Sequence, residues 1–368
     1  MIRLRRVLLA TTLSLALWGP PVGDAALAQG RGLAPPFRTA PPRSGPGDQG
    51  GCPATPPPTL SLAITTPYQK GDPTFSHLDP QAERAVEDQM KPSRQFVVAV
   101  DVQANRYTLS NGANEAAGAC ALAMMDSWAK AGALTQLTGH DAYLFRANLL
   151  TALSLDFMQV RGLDTGDQGQ RRRIADWLHG LGMDSLSHWS SLPANSMVNL
   201  NNHRAWAGFA VAAAGVATGD RQMFDWGMNS GKVVACEADD RGGLPREIGR
   251  AGRARLYSLY AAEPLVMTAE LGAANGVDLY SQCDNAIHRI VAFALRSIDD
   301  PSQIESRTGV KQEDFYKPDG SFNKQQIAWA EVYEHRFPGR APLPAGFASG
   351  RPYFSADLGG GIGALVSR

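Results

Sequence analysis

The chain has 368 residues, of which 35 are basic and 35 acidic, so its formal net charge is zero. This balance argues against a nucleic-acid-binding surface spread over the whole molecule, because phosphate binding requires an excess of Lys and Arg. A local basic groove remains compatible with it. The length and an apolar share of 44% suffice for one large domain or two small ones with buried cores.

Residues 1–28 are predicted to be a secretion signal peptide. Arginines near the start precede an apolar run over residues 7–18, and a small-x-small cleavage site follows at residues 26–28. The apolar run is too short to span a bilayer, and no later stretch reaches the roughly 20 apolar residues that a membrane helix needs. We therefore expect a periplasmic mature protein that begins near Gln29 and has no membrane contact after cleavage.

Residues 29–60 are predicted to be a linker. Proline pairs and glycines separate the few apolar side chains in this stretch, so it cannot bury a core of its own. No second segment of similar composition follows. Residues 61–368 are therefore predicted to form a single domain.

The four cysteines are Cys52, Cys120, Cys236 and Cys283, and export makes disulfides permissible. Four cysteines allow three pairings. We expect Cys52 to pair with Cys120, because this bridge would tie the proline-rich segment to the first core helix. Cys236 and Cys283 are either bridged or buried as free thiols, and the sequence leaves both open.

The domain is predicted to be all-α. Apolar residues recur at three-to-four spacing over residues 115–133, 139–161, 170–182, 203–218, 221–238, 253–274 and 284–298. Strand-like alternation is confined to short pieces such as residues 95–102. Helices that are alanine-rich and apolar nearly all round indicate an inner layer covered on both sides. Such helical hairpins, arranged in a ring, form an incomplete α/α toroid whose inner helices line a cleft.

The first candidate site element is the start of the helix over residues 203–218. Asn201 and Asn202 precede His203, and asparagine is a good N-cap that directs backbone N–H groups toward an anion. The Asn202 amide could also donate a hydrogen bond to a substrate carboxylate. Taken alone, the asparagines are equally explained by capping, and His203 is better explained as an ordinary core or surface histidine.

The second candidate element is a row of arginines and tyrosines further along the chain. Glycines at residues 249 and 252 favour a loose lead-in before a regular helix near residue 253. Arginine rows are usually solvated faces, but the added phenols indicate a cleft for an acidic sugar polymer. The spacing predicts one helical face carrying Arg246, Arg250, Arg253, Tyr257 and Tyr260.

A histidine beside a carboxamide, a cation and a phenol can remove a proton from a carbon next to a carboxylate and expel an oxygen leaving group. The runs that carry these residues, Asn201–Trp206 and Gly243–Glu247, resemble those of the alginate lyases of polysaccharide lyase family 5, the periplasmic mannuronate lyases. The likeness extends from about Leu62 to the C-terminus. Residues 67–72 resemble the mobile lid over that family's cleft.

The resemblance implies an incomplete α/α toroid that cleaves a 1,4-linked polyuronate, foremost polymannuronate (alginate), by β-elimination to give 4,5-unsaturated uronate ends. It implies no metal ion and no organic cofactor. An anionic polysaccharide is the expected partner, and the exopolysaccharide secretion machinery is a further one by analogy. The catalytic residues implied are Asn202, His203, Arg250 and Tyr257, and the substrate-binding residues Tyr68, Trp206, Arg246, Arg253 and Tyr260.

Their roles follow from chemical need. Asn202 and Arg250, with His203 as a further candidate, would neutralise the carboxylate and stabilise the enolate-like charge. In mannuronate the C5 hydrogen and O4 are syn, so a Tyr257 phenolate could take the proton and return it to O4. In guluronate they are anti, and His203 would be the base. A phenol with a pKa near 10 needs nearby arginines to lower that pKa.

Departures from the family pattern keep other substrates open. Arg204 and Ala205 stand in place of a Ser-Tyr pair, Arg246 in place of Asn, and residues 357–361 read Asp-Leu-Gly-Gly-Gly in place of Arg-Leu-Gly-Gly-Asp. Polyglucuronate or a mixed exopolysaccharide is therefore an alternative substrate.

Two other classes of protein are also compatible with a toroid. A glycoside hydrolase would need two carboxylates facing each other across the cleft, for which Asp239, Asp240 and Glu247 are available. A polyuronate-binding protein without turnover would keep the same fold.

Overall fold

A computed structural model describes residues 32–39, 51–165 and 167–366. The predicted signal peptide over residues 1–28 lies outside these ranges. The chain from Leu33 onward forms one compact unit. Among the described residues, no helix combines the length and the apolar character needed to cross a bilayer.

Helices account for nearly all regular structure in the described ranges. Strand β1 (Ser61–Ala63) pairs in parallel with β2 (Gln136–Thr138), and β3 (Phe354–Ser355) pairs antiparallel with β4 (Gly360–Gly361). The helices are α1 (Pro80–Leu109), α2 (Glu115–Ala131), α3 (His140–Val160), α4 (Gln168–Ser191), α5 (Asn202–Thr218), α6 (Arg221–Ala235), α7 (Pro245–Ile248), α8 (Ala254–Ala274), α9 (Gln282–Asp299), α10 (Ser302–Thr308), α11 (Trp329–Arg336) and α12 (Ile362–Val366).

The long helices form two layers. In the inner layer α1 packs against α3, α3 against α5, and α5 against α8. In the outer layer α2 and α4 lie behind α1, α3 and α5, while α6 and α9 lie behind α5 and α8. Helix α5 is accordingly buried along almost its whole length, as its alanine-rich sequence predicts. The predicted all-α fold, an incomplete α/α toroid, is confirmed.

Each helix predicted from periodicity is present. The strand-like reading of residues 95–102 was wrong, because this segment lies inside α1. Its β-branched residues favour a strand locally, yet Phe96, Val97, Val100 and Ala104 fall at helical spacing and are all buried. Packing of this face against α2 and α3 decides the conformation.

Glycines permit an unusually close contact between α5 and α6. A Cβ atom at Gly227 of α6 would lie 2.4 Å from the carbonyl oxygen of Gly208 and 2.5 Å from Cβ of Ala212. These separations are shorter than van der Waals contact. The small residues therefore set how near the outer helix comes to the helix that carries Asn202 and His203.

Both pairs of cysteines are bridged. The predicted disulfide Cys52–Cys120 is confirmed, with Cα atoms 5.5 Å apart, and Cys236 and Cys283 form a second one, with Cα atoms 5.3 Å apart. The first ties the proline-rich segment to α2 and the second ties the end of α6 to the start of α9. Each closes a loop in the unfolded chain and thereby disfavours unfolding.

The described part of the proline-rich segment is bound to the helical body. Ala34 exchanges two hydrogen bonds with the side chain of Asn275, at 2.8 and 2.9 Å. Phe37 is buried in the core, and the carbonyl of Pro56 accepts a hydrogen bond from the indole of Trp128 at 2.9 Å.

We predict that Gly227→Ala destabilises the protein by about 1 to 3 kcal/mol, because the added methyl group forces α5 and α6 apart. Gly180→Ala is the matched control. Gly180 is exposed on α4 and a Cβ there meets nothing within 4 Å, so this change should stabilise by up to about 1 kcal/mol. Urea unfolding of both variants measures the difference, and equal midpoints would contradict the packing argument.

Candidate active site

One cleft collects most of the predicted site residues. It has a volume of about 460 Å³ and lies where the loop over residues 66–78 meets α1, α3, α5 and α8. The first two residues of α5 and the first two turns of α8 contribute to its wall. Of the residues predicted from sequence, the structure brings together here Tyr68, Asn202, His203, Arg250, Arg253, Tyr257 and Tyr260.

Trp206 and Arg246 are not brought to this cleft. Trp206 is fully buried behind it, and its indole N–H donates to the carbonyl of Tyr260 at 3.2 Å. Arg246 lies in α7, and the chain turns before α8 begins, so Arg246 does not share a helical face with the tyrosines. Trp206 therefore supports the wall of the cleft by packing against Tyr260, with ring centroids 5.1 Å apart.

Arg250 places a buried positive charge against Tyr257. Its guanidinium carbon lies 3.6 Å from the centroid of the Tyr257 ring, well within the range of a cation–π interaction. The next residue, Ala251, has a left-handed backbone with φ of 49°, which is strained for a residue with a Cβ. This turn separates α7 from α8 and gives Arg250 its position beside the phenol.

His203 is held as a neutral imidazole. Asn201 caps α5 by accepting a hydrogen bond from the backbone N–H of His203 at 2.9 Å, which fixes the start of the helix. Burial, with the nearby His140 and Arg250, lowers the pKa of His203 to about 3. The ring is therefore uncharged near pH 7. In this state one ring nitrogen donates a hydrogen bond and the other accepts one.

A row of three histidines, which sequence reasoning missed, continues from the cleft. Nδ1 of His203 lies 3.5 Å from Nε2 of His140, and Nδ1 of His140 lies 3.2 Å from Nε2 of His188. Tyr143 stacks on His188 with centroids 3.6 Å apart. Burial lowers the pKa of His140 and of His188 as well. The row therefore engages Nδ1 of His203, which leaves Nε2 as the nitrogen for a ligand.

Asn202 is bound to a buried carboxylate that the sequence did not single out for this role. Its backbone N–H donates to Glu247 at 2.7 Å, and its Nδ2 lies 3.1 and 2.9 Å from the two carboxylate oxygens. Burial raises the pKa of Glu247 to about 7, against the lowering effect of the Asn202 bonds and Arg250.

These contacts remove the basis for the hydrolase alternative. Glu247 is fully buried beneath Asn202, and Asp239 forms an ion pair with Arg307. None of the three carboxylates considered for hydrolysis lines the cleft.

The loop over residues 66–78 lies against the same arginines. Asp72 accepts hydrogen bonds from the hydroxyl of Thr74 at 2.6 Å and from three backbone N–H groups within residues 74–77 at 2.8 to 2.9 Å, and these bonds hold its pKa low. Arg250 donates to the carbonyl of Phe75 at 2.8 Å, and Arg253 donates to the hydroxyl of Tyr68 at 3.3 Å. The loop is thus internally braced and connected to two cations of the cleft.

A smaller cavity of about 270 Å³ adjoins the cleft through Tyr260 and Arg94. Asp357, one of the departures from the family pattern, lines this cavity together with Glu263. Burial raises the pKa of both carboxyl groups. Arg204, another of the departures, points between α5 and α6, where it donates to Ser230 at 2.8 Å.

Within the part of the chain that the structure describes, His, Cys, Asp and Glu form no group of three or more able to hold a metal ion.

A sequence model of the family described as alginate lyase matches residues 63–304. The chain belongs to the alginate lyase family. This match includes α1 to α9 and every cleft residue named above.

Individual relatives agree with this family assignment. The chain is 32% identical to an alginate lyase of Pseudomonas paraeruginosa over 329 residues, which cover 88% of this chain and 87% of that protein. It is 31% identical to an alginate lyase of Azotobacter vinelandii, covering 86% and 84%. It is 30% identical to a polysaccharide lyase of Stenotrophomonas maltophilia, covering 84% and 89%.

Solved structures show the same fold. A histidine-to-alanine variant of alginate lyase A1-III in complex with a tetrasaccharide superposes with a TM-score of 0.70 at 22% identity, covering 88% of each chain. Alginate lyase A1-III from Sphingomonas species A1 superposes with a TM-score of 0.65 at 23% identity, covering 93% of each chain.

We predict that Arg250→Ala raises the pKa of His203, because the loss of a nearby cation makes the imidazolium less unfavourable. The shift is directed toward the ordinary value of about 6.5. Arg253→Ala is the control, since Arg253 lines the same cleft but is not among the groups that lower the pKa of His203. Nuclear magnetic resonance titration of the imidazole measures both. An unchanged pKa of His203 in the Arg250→Ala variant would contradict the proposed electrostatic effect of Arg250 on this imidazole.

Proposed function

We propose that the protein is a polysaccharide lyase that cleaves 1,4-linked polyuronate by β-elimination, with polymannuronate as its preferred substrate, and that it leaves 4,5-unsaturated uronate ends. The observation that carries the proposal is the convergence of Asn202, His203, Arg250 and Tyr257 on one cleft. The relatives named alginate lyase support the same activity. In this proposal the substrate is an anionic polysaccharide.

The chemical difficulty is the low acidity of the C5 proton beside an ionised carboxylate. Arg250, which is largely buried, supplies the charge that neutralises this carboxylate and the enolate-like transition state. A buried cation stabilises such charge far better than water does, because the site needs no reorganisation when the charge develops. Asn202 supplies an amide beside it.

Tyr257 takes the C5 proton and protonates O4. The guanidinium of Arg250 lies against its ring, and the proposal assigns to this cation the role of favouring the phenolate. In mannuronate the proton and the leaving oxygen are on the same face, so one phenolate serves both steps. The proton is moved within the site, and the C4–O4 bond breaks as the C4–C5 double bond forms.

The state of His203 favours mannuronate over guluronate. Elimination from guluronate requires a second base on the opposite face, and a histidine whose pKa is about 3 is a poor base near pH 7. Elimination from mannuronate needs His203 only as a neutral hydrogen-bonding group. Tyr68, Arg253 and Tyr260 complete the cleft as substrate-binding residues.

We also propose that the protein works in the periplasm. The two disulfides support an oxidising compartment. A role beside the exopolysaccharide secretion machinery, as clearance of trapped polymer, remains part of this proposal.

Incubation with separate polymers tests the activity and its specificity. We expect ultraviolet absorbance from the conjugated product to grow fastest on polymannuronate and more slowly on polyguluronate and polyglucuronate. Reducing ends without that absorbance would instead indicate hydrolysis, and binding without either product a polysaccharide-binding protein. Faster elimination from polyglucuronate would replace the proposed substrate by the alternative one.

We predict that Tyr257→Phe lowers kcat by about 100-fold to 10,000-fold, the usual contribution of a general acid–base group. Polymannuronate binding, measured by calorimetry, should persist because the ring and its contact with Arg250 remain. Tyr260→Phe is the control. It removes a hydroxyl from the same cleft wall, bonded to Asn148 at 3.2 Å. Because Tyr260 is proposed only to bind the substrate, this variant should raise KM but retain most of kcat. Equal losses in both variants would count against Tyr257 as the proton carrier.

A further inference from the structure

We propose that Glu247 is a positioning residue that takes up a proton when the sugar carboxylate binds, and that this proton turns the Asn202 amide so that it donates to the substrate. The inference rests on the proposed function and deepens it. It assigns a role to a residue that does not itself touch the sugar. It also makes substrate binding depend on a proton from solvent.

The orientation of Asn202 in the free protein poses the problem. Its Nδ2 lies within hydrogen-bond distance of both oxygens of Glu247, so the amide directs its donor group at this carboxylate. Its Oδ1 is buried and accepts no hydrogen bond from the described residues. In this orientation the free group of the amide is an acceptor, which repels a carboxylate. An amide that neutralises a uronate must present its N–H₂ group instead.

A protonated Glu247 solves the problem without moving the backbone. Glu247 gains one proton from solvent, and its new O–H donates to Oδ1 of Asn202 after the amide rotates by half a turn. The other carboxyl oxygen keeps the 2.7 Å bond from the backbone N–H of Asn202. The released Nδ2 then donates to the sugar carboxylate. The buried Oδ1 gains the partner that it lacks in the ionised form.

The charges around Glu247 favour this exchange. Asn202 faces it from α5, and Arg250, on the turn after α7, is the cation that acts on it. Helices α8 and α10 also pack against α7, but their charged groups are engaged elsewhere. Arg255 donates to the carbonyls of Ser297 and Glu313, Glu305 accepts from the backbone of Gln312, and Arg307 pairs with Asp239.

Burial already balances the two protonation states, since the pKa of Glu247 is raised to about 7. An arriving carboxylate raises this pKa further, because it shares Arg250 and adds a negative charge. At about pH 8 the free protein therefore holds Glu247 mainly ionised, whereas the complex holds it protonated. Binding and proton uptake are then linked.

Calorimetry of binding in buffers with different ionisation enthalpies measures this uptake. Tyr257→Phe serves as the background, so that a mannuronate tetrasaccharide binds without turnover. We expect an uptake of roughly one proton per ligand at about pH 8. The uptake should vanish when Glu247→Gln is added, since glutamine donates to Oδ1 without titrating. The control is Glu263→Gln in the same background, another buried glutamate of this region, which should leave the uptake in place.

Kinetics supply a second measurement. In the wild-type protein kcat/KM should fall as the pH rises above the pKa of Glu247 in the free protein, about 7, because kcat/KM reports ionisation of the free enzyme. Glu247→Gln should remove this fall. Glu247→Ala should lower kcat by about 100-fold, the cost of one lost donor to the developing charge. In an Asn202→Ala background, Glu247→Gln should leave the pH profile unchanged, because the amide that it turns is absent.

Either of two results would overturn the proposal: uptake that persists in the Glu247→Gln variant, or no uptake in Tyr257→Phe itself. These results are distinguishable from failure of the proposed function. The ultraviolet assay detects elimination whether or not Glu247 titrates, and absence of the unsaturated product on every polyuronate would remove the function directly.

Discussion

The buried guanidinium of Arg250 is the interaction on which the other groups of the site depend. It lies 3.6 Å from the Tyr257 ring centroid, donates to the carbonyl of Phe75, and depresses the pKa of His203. It also opposes the burial that raises the pKa of Glu247. One cation therefore contacts a phenol ring, acts together with burial on the pKa of an imidazole and of a carboxyl group, and binds the loop above them. Its position follows from the break between α7 and α8 at Ala251.

The helical scaffold was predictable because it rests on repeated local patterns. Apolar spacing located the helices, and the structure shows that α2 and α5 each end at a glycine, residues 132 and 219, that adopts positive φ. The same reasoning failed for residues 95–102, where β-branched side chains suggested a strand and long-range packing imposed a helix. It also placed Arg246 and Arg250 on one face with Tyr257, since spacing alone does not reveal a turn between two helices.

Much of the candidate site was also predictable, from residues that share short motifs. Contacts between distant segments were not. His140, His188 and His203 come from the starts or ends of three helices, and nothing in the spacing of these residues indicates a hydrogen-bonded row. Glu247 was visible in its motif, but its burial beneath Asn202 depends on how α7 packs. The prediction for Trp206 failed in the opposite direction. Its place beside the site motif suggested substrate binding, but its side chain is fully buried in the core.

Helix α5 carries Asn202 and His203 at its first turn and has scarcely any side that faces water. Contact with α6 through Gly208 and Gly227 leaves no spare volume in which a larger side chain could be accommodated. A larger side chain at this contact is therefore expected to shift Asn202 and His203 together. On the proposed function, a substitution in the loop over residues 66–78, or at Asp357 in the adjoining cavity, can instead alter what binds without moving Asn202 and His203.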